Sequence, residues 1–300
     1  MTAKFGVIGL GSMGFGIAKS VLRAGHQTYG FDVVPAQQER FVEAGGSDGN
    51  LPDIANALDG VVLVVLNAAQ TEKVLFGEAG IARLMQPGAV ILACATVQPD
   101  FAIEMERRCA EYDLHYLDAP ISGGSARAAE GRLSIMASGT KAAFDAAEPL
   151  LTATAETVFR LGDAAGAGSA MKAVNQMLAG SHIALMAEAM TFGMTQGIEP
   201  TRFLDVISEC AGTSWMLENR APHIIDGDYT PRSSVDIWPK DLGIVLDIAK
   251  SAKFSAPITA AALQQFLAAS GSGLGAEDDA AVAKVYARNA NLTLPHTKTE

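Results

Sequence analysis

Residues 5–14 read Phe-Gly-Val-Ile-Gly-Leu-Gly-Ser-Met-Gly, and an acid, Asp32, follows eighteen positions later. An apolar run, a glycine turn and a helix start in that order leave few folds open. Gly9 permits a tight turn, Gly11 lets the backbone approach a pyrophosphate, and Gly14 lets helix and strand pack closely. The helix that opens at Ser12 and Met13 turns unpaired N–H groups and the positive end of its dipole toward the phosphates, with Leu10 beside them. Asp32 closes a second apolar run, 27–31. A carboxylate there can accept from both ribose hydroxyls and repels a 2′-phosphate. Gly9, Leu10, Gly11, Ser12, Met13, Gly14 and Asp32 therefore predict an NAD site.

The pattern around this unit extends it. Short apolar runs at 4–9, 27–32, 61–66, 89–94 and 114–118 alternate with helical patterns near 13–24, 35–44, 70–76 and 98–112. Continuous runs such as Val61-Val62-Leu63-Val64-Val65-Leu66 suit strands buried on both faces of a parallel sheet. Two more strands are expected at 133–138 and 156–160, around a helix at 141–151. After Leu161-Gly162 the character changes. One helical pattern runs from about 165 to 196, and helices alone follow, at 200–210, 214–220, 239–253, 257–270 and 278–288. Pro200, Pro239 and Pro257 fall in first turns, where a missing N–H costs nothing. The expected fold is α/β: a Rossmann-type doubly wound parallel sheet over 1–162, and an all-α domain over 163–300, joined by the long helix. The polar tail after Asn289 reads as mobile, and Trp215 reads as a core anchor.

Composition removes several classes of function. A net charge of −11 argues against nucleic acid and anionic membranes as partners. No apolar run approaches a membrane span, and a strand within four residues of the N-terminus leaves no room for a signal peptide. Cys94, Cys109 and Cys210 are odd in number and widely spaced, as expected of a cytoplasmic protein. His182 and His223 have no partner histidine at i, i+4, so no metal site is expected.

Two later segments carry candidate chemistry. Asp118-Ala119-Pro120-Ile121-Ser122-Gly123-Gly124 runs from a strand end into a turn where adjacent glycines can converge backbone N–H groups on a carboxylate; a plain turn reads the same way. Gly166-Ala167-Gly168-Ser169-Ala170-Met171-Lys172-Ala173-Val174-Asn175 opens the long helix, with Lys172 and Asn175 three apart on one face. A helical lysine is ordinarily a solvated charge. Here Met171, Ala173 and Val174 make the surroundings apolar, and Gly166 and Gly168 allow something to come close. A desolvated lysine beside a cationic nicotinamide is suited to general base work.

Together these motifs, with Lys240-Asp241-Leu242, resemble the β-hydroxyacid dehydrogenase family, which includes 3-hydroxyisobutyrate and tartronate semialdehyde dehydrogenases. The likeness covers essentially the whole chain. It implies that Lys172 is the catalytic lysine, that Asn175 orients the substrate, and that Ser122, Gly123 and Gly124 hold its carboxylate. It also implies that Leu66 and Asn67 line the cofactor, that Thr96 meets its nicotinamide side, and that Lys240 reaches it from the helical domain. The implied reaction is NAD-dependent oxidation of a secondary hydroxyl on a small anionic hydroxy acid, by a homo-oligomer, dimer or tetramer.

Stretches 67–70, 75–78, 212–220, 223–231 and 277–279 most resemble members acting on the sugar acid L-threonate. Ser233, where many family reductases carry a phenylalanine, leaves room for a polyhydroxylated chain or simply faces solvent. Action on 3-hydroxyisobutyrate or tartronate semialdehyde, imine reduction, and a cofactor-binding module without turnover are the alternatives. Lys172 argues against the imine reductases, which usually replace it.

Overall fold

The computed structural model describes residues 2–296. The chain divides into two compact units, Met1–Lys172 and Ala173–Glu300.

In the first unit, β1 (Lys4–Ile8), β2 (Gln27–Phe31), β3 (Gly60–Leu63), β4 (Val90–Ala93) and β5 (His115–Asp118) pair in parallel in the order β2-β1-β3-β4-β5. Three further strands extend the sheet: β6 (Ile121–Ser122), β7 (Leu133–Ser138) and β8 (Ala155–Gly162). β7 lies antiparallel to β5 and β6 and parallel to β8. Between the strands run α1 (Ser12–Arg23), α2 (Pro35–Glu43), α3 (Leu51–Ile54), α4 (Ala68–Phe76), α5 (Pro99–Ala110), α6 (Gly124–Glu130) and α7 (Lys141–Thr154).

Successive strand residues feed opposite faces of the sheet. Val62, Val90, Leu92 and Leu117 join Ile17 and Val21 of α1 and Phe144 and Leu150 of α7 in one core. Val61, Leu63, Ile91 and Ala93 join Leu75 of α4 and Ala102 and Met105 of α5 in the other. Both faces are covered, which is why these strands read as unbroken apolar runs. Each large side chain so buried contributes about 1.5–3 kcal/mol.

The second unit is built from helices. α8 (Ala167–Thr195) begins before its boundary, and α9 (Pro200–Ile207), α10 (Trp215–Asp226), α11 (Ile237–Ser251), α12 (Pro257–Ala269) and α13 (Ala283–Asn289) follow. A 3₁₀ turn, Asp279–Val282, leads into α13. Ile183, Met186 and Met190 of α8 pack with Leu217, Ile224, Leu242 and Phe266. Gly180 allows a close approach: a Cβ there would lie 2.7 Å from the Trp238 ring. This draws α8 and α11 together one turn beyond Gln176.

The structure corrects several expectations. Trp215 is 54% exposed at the start of α10, and Trp238 is the buried anchor, stacked on Phe266 with its Nε1 donating to Asp279 at 3.0 Å. After Asn289, Leu292 and Leu294 pack into the helical core while Ala290, Asn291 and Thr293 are exposed; residues 297–300 lie outside the described residues. α3, α6 and β6 were not expected. α6 starts on Gly-Gly and looks like a turn, yet it is held against α1, where Ser20 Oγ donates to Ala128 O at 2.9 Å and a Cβ on Gly16 would lie 2.7 Å from Ala129 N. Only the tertiary contact makes it a helix.

Candidate active site

The register Ile8↔Phe31 sets the ends of β1 and β2 side by side, and Gly9 N donates to Phe31 O at 2.8 Å. Gly9 has φ +95°, and a Cβ on Gly14 would sit 1.7 Å from Gly9 O, so α1 can pack on the turn only as glycine. Gly11, the N-cap of α1, faces open space, with no atom within 4 Å of where its Cβ would be. No side chain caps this helix start.

Asp32 accepts from Leu10 N at 2.7 Å through Oδ2 and from Val34 N at 2.9 Å through Oδ1. Those two bonds fix the carboxylate and use about half of its roughly four acceptor positions, leaving acceptors for hydroxyls. An open, uncapped helix start beside an acceptor-only acid fits the pyrophosphate and ribose of a dinucleotide.

Leu66 and Asn67 follow β3, and Thr96 follows β4, at the carboxyl ends of the strands where such sheets bind ligands. Leu66 is exposed. Asn67 also has a structural duty, because its Oδ1 caps α4 by accepting from Gln70 N at 2.9 Å. Gln70 Oε1 in turn accepts from Leu66 N at 2.8 Å, which holds the loop shape. Cys94, just after β4, is buried, and burial, with Asp118 adding to it, pushes its thiol up to about 12.

The second cluster is organised by Asp118, to which the sequence assigned no task. It closes β5 and is buried. Its Oδ2 accepts from Gly166 N at 3.0 Å, Ser169 N at 2.8 Å and Ser138 Oγ at 3.2 Å, and its Oδ1 from Ser169 Oγ at 2.7 Å. Ser138 Oγ also accepts from Gly168 N at 2.9 Å. A carboxylate thus fills the amide-rich start of α8, a favourable place for negative charge. Burial nonetheless outweighs these bonds and holds the Asp118 carboxyl above the usual carboxylate range. What comes close at Gly168 is the protein's own sheet, since a Cβ there would lie 2.4 Å from Met136 O.

With its helix anchored this way, Lys172 is 8% exposed and donates from Nζ to Ile121 O at 2.9 Å, next to Ser122. Its sequence neighbours do not wrap it, because Met171 and Val174 point outward. Ser122 lies in β6, paired with Ser134, and the next two residues have φ +131° (Gly123) and +76° (Gly124). The backbone therefore turns sharply beside the lysine's anchor.

Asn175, one turn further along α8, is tied to side chains whose part sequence reasoning missed. Asn175 Nδ2 donates to Gln176 Oε1 at 2.9 Å, and Gln176 Nε2 donates to Asp241 Oδ2 at 2.5 Å. Asp241 Oδ1 lies 2.7 Å from Lys240 Nζ. Asn175 and Lys240, expected separately, are thus linked through two buried residues. Among the described residues, no group of three or more His, Cys, Asp or Glu side chains could hold a metal ion, and no helix is long and apolar enough to cross a membrane.

The chain is similar to known proteins over nearly its whole length. Residues 4–162 match the family described as the NAD-binding domain of 6-phosphogluconate dehydrogenase. Residues 166–286 match the one described as NAD-binding of NADP-dependent 3-hydroxyisobutyrate dehydrogenase. The chain is 52% identical to an L-threonate dehydrogenase of Cupriavidus necator, covering 95% of this chain and 97% of that one. It is 45% identical to an L-threonate dehydrogenase of Escherichia coli K12, with 98% and 97% covered. A crystal structure described as 3-hydroxyisobutyrate dehydrogenase from Salmonella typhimurium superposes with a TM-score of 0.89 at 45% identity, covering 94% of this chain and 99% of that one. The chain belongs to the 3-hydroxyisobutyrate dehydrogenase family and is an NAD-dependent oxidoreductase acting on CH–OH groups.

Proposed function

We propose that the protein oxidises a secondary hydroxyl of a short sugar acid, L-threonate to 2-dehydro-L-erythronate, with NAD. The observation that carries the substrate is the 52% identity, over nearly the full length of both chains, to an L-threonate dehydrogenase. Residues 1–162 are assigned to the dinucleotide and 163–300 to the substrate side and to oligomerisation. Gly9 to Gly14 hold the pyrophosphate and Asp32 the ribose, while Leu66, Asn67, Thr96 and Lys240 are assigned to the rest of the cofactor. When bound, the nicotinamide supplies the two-electron acceptor.

The chain's own residues do the remaining work. Ser122 and the Gly123 and Gly124 amides take the substrate carboxylate. Lys172 Nζ, oriented by Ile121 O, accepts the hydroxyl proton and then stabilises the oxygen from which it came. Asn175 fixes the angle of attack, which is the proximity contribution.

Asp32 supports NAD over NADP, because a fixed carboxylate repels a 2′-phosphate. Equal kcat/KM with the two cofactors would remove that assignment. A second substrate reading, 3-hydroxyisobutyrate, is favoured by the description of the Salmonella structure. Turnover on a panel of three- to five-carbon hydroxy acids separates the two: L-threonate is expected to give the highest kcat/KM, and a branched or three-carbon acid giving it would sink the reading.

We also assign a homo-oligomer in the cytoplasm. Met171, Leu178, Leu185 and Phe192 recur every seventh residue and are all exposed, an apolar seam along α8 that suits a second copy. Light scattering on Leu185→Glu is expected to report a smaller species than the parent.

A further inference from the structure

The assignment of Asn175 leaves open which of its amide atoms faces the substrate, and side chains outside that assignment decide it. Asp241 is 2% exposed and paired with Lys240, and as a carboxylate it can only accept. Gln176, 6% exposed, must therefore turn Nε2 toward it, which leaves Oε1 facing Asn175. Oε1 can only accept, so Asn175 must offer Nδ2 to it. One carboxylate thereby sets the direction of every bond in the row. It also holds Lys240, assigned to the cofactor, at the opposite end. The glycine contact at Gly180 against Trp238 keeps α8 and α11 close enough for the row to close.

We propose that Gln176 and Asp241 are positioning residues that lock the Asn175 amide with Oδ1 and the second Nδ2 hydrogen toward the substrate, so that Asn175 accepts from the hydroxy acid as well as donating to it. This rests on Asn175 being the substrate-orienting residue. The row acts through Asn175 on one side and Lys240 on the other. Loss of Gln176 should then be felt in hydroxy-acid turnover, and loss of Asp241 also in NAD affinity.

The test is a double-mutant cycle on the full-length enzyme, with L-threonate or whichever acid of the panel turns over best. Gln176→Leu alone should lower kcat/KM by about tenfold, while the NAD dissociation constant, read by tryptophan fluorescence, stays within about twofold. In an Asn175→Ala background the same change should cost less than about twofold, because the residue through which it acts is gone. Asp241→Asn should lower kcat/KM and weaken NAD together.

Gln176→Glu supplies an independent signature. When protonated, its hydroxyl can donate to Asp241 and its carbonyl can accept from Asn175, restoring the row. When ionised it faces the Asp241 carboxylate, with Lys240 beyond, and the row breaks; burial and the like charge favour the protonated form. Its kcat/KM relative to the parent should climb about tenfold as pH falls from roughly 9 to roughly 6. That ratio also decides the matter if Gln176→Leu does not fold.

Full additivity of Gln176→Leu with Asn175→Ala, or a flat pH ratio for Gln176→Glu, would overturn the proposal while leaving Asn175 in its role. If Asn175→Ala itself leaves kcat/KM unchanged, the assignment of the site falls and the row loses its function with it.

Discussion

Two helix starts in the first unit solve the same problem in opposite ways. Each α-helix begins with amides that have no partner inside the helix. At α1 the N-cap is Gly11, no side chain caps it, and the space in front is open. At α8 the Asp118 carboxylate takes up Gly166 N, Ser169 N and Ser169 Oγ, and Ser138 Oγ takes Gly168 N. The first start stays open, and the proposed function gives it to the cofactor's phosphates. The second spends its donors on the protein itself, and what it gains is a fixed place for Lys172. An open helix start and a self-capped one are the same structure with different occupants.

The largest expected effect tests what the closed start holds in place. Lys172→Ala should lower kcat by about 10²–10⁴-fold, the usual worth of a general base, with NAD affinity unchanged; steady-state rates and fluorescence titration read the two separately. Unaltered turnover would take the lysine out of the mechanism.

Closing the open start comes next. Gly11→Asp has room for its side chain and would cap α1 as Asp118 caps α8. Melting temperature should hold or rise slightly, while NAD affinity falls about a hundredfold, because a carboxylate then stands where the pyrophosphate belongs. Retained NAD binding would show that the phosphates lie elsewhere.

Opening the closed start is a smaller change. Asp118→Asn keeps the shape but loses the charge and an acceptor, leaving a buried donor unpaired. About 1–3 kcal/mol of stability should go, measured by denaturant unfolding, with kcat falling further than KM rises. The smallest effect is the pH dependence of that difference. Burial holds Asp118 above its unfolded value, so the folded chain binds the proton more readily, and this group's contribution falls as pH rises through the raised value. The parent's stability advantage over Asp118→Asn should therefore be larger near pH 4 than near pH 7. The opposite trend would mean that the hydrogen bonds outweigh the burial.

How legible each start was in the sequence follows from the range of its contacts. The turn from Gly9 to Gly14 depends on residues a few positions apart, so its spacing can be read directly, and Asp32 is readable because an adjacent parallel strand brings it back at a regular interval. Asp118 has no task readable from its local motif, because its partner Ser169 is 51 residues away. Gln176 looked like any polar residue on a helix, since Asp241 is 65 residues further on. Trp215 and Trp238 were equivalent as letters. Trp215, the expected anchor, is exposed and Trp238 is buried, so an amphipathic pattern says which residues can be buried, and packing decides which are.

The sequence by itself therefore determined the doubly wound sheet, the helical second half and the glycine turn after the first strand through local geometry and periodicity, and it singled out Lys172, whose proposed role comes from the family resemblance. Only the tertiary structure decided how that lysine is held, which way the Asn175 amide faces, and that Gly124–Glu130 is a helix. Those outcomes depend on hydrogen bonds and close approaches between distant segments. Such contacts leave no periodic trace along the chain, because each is made once.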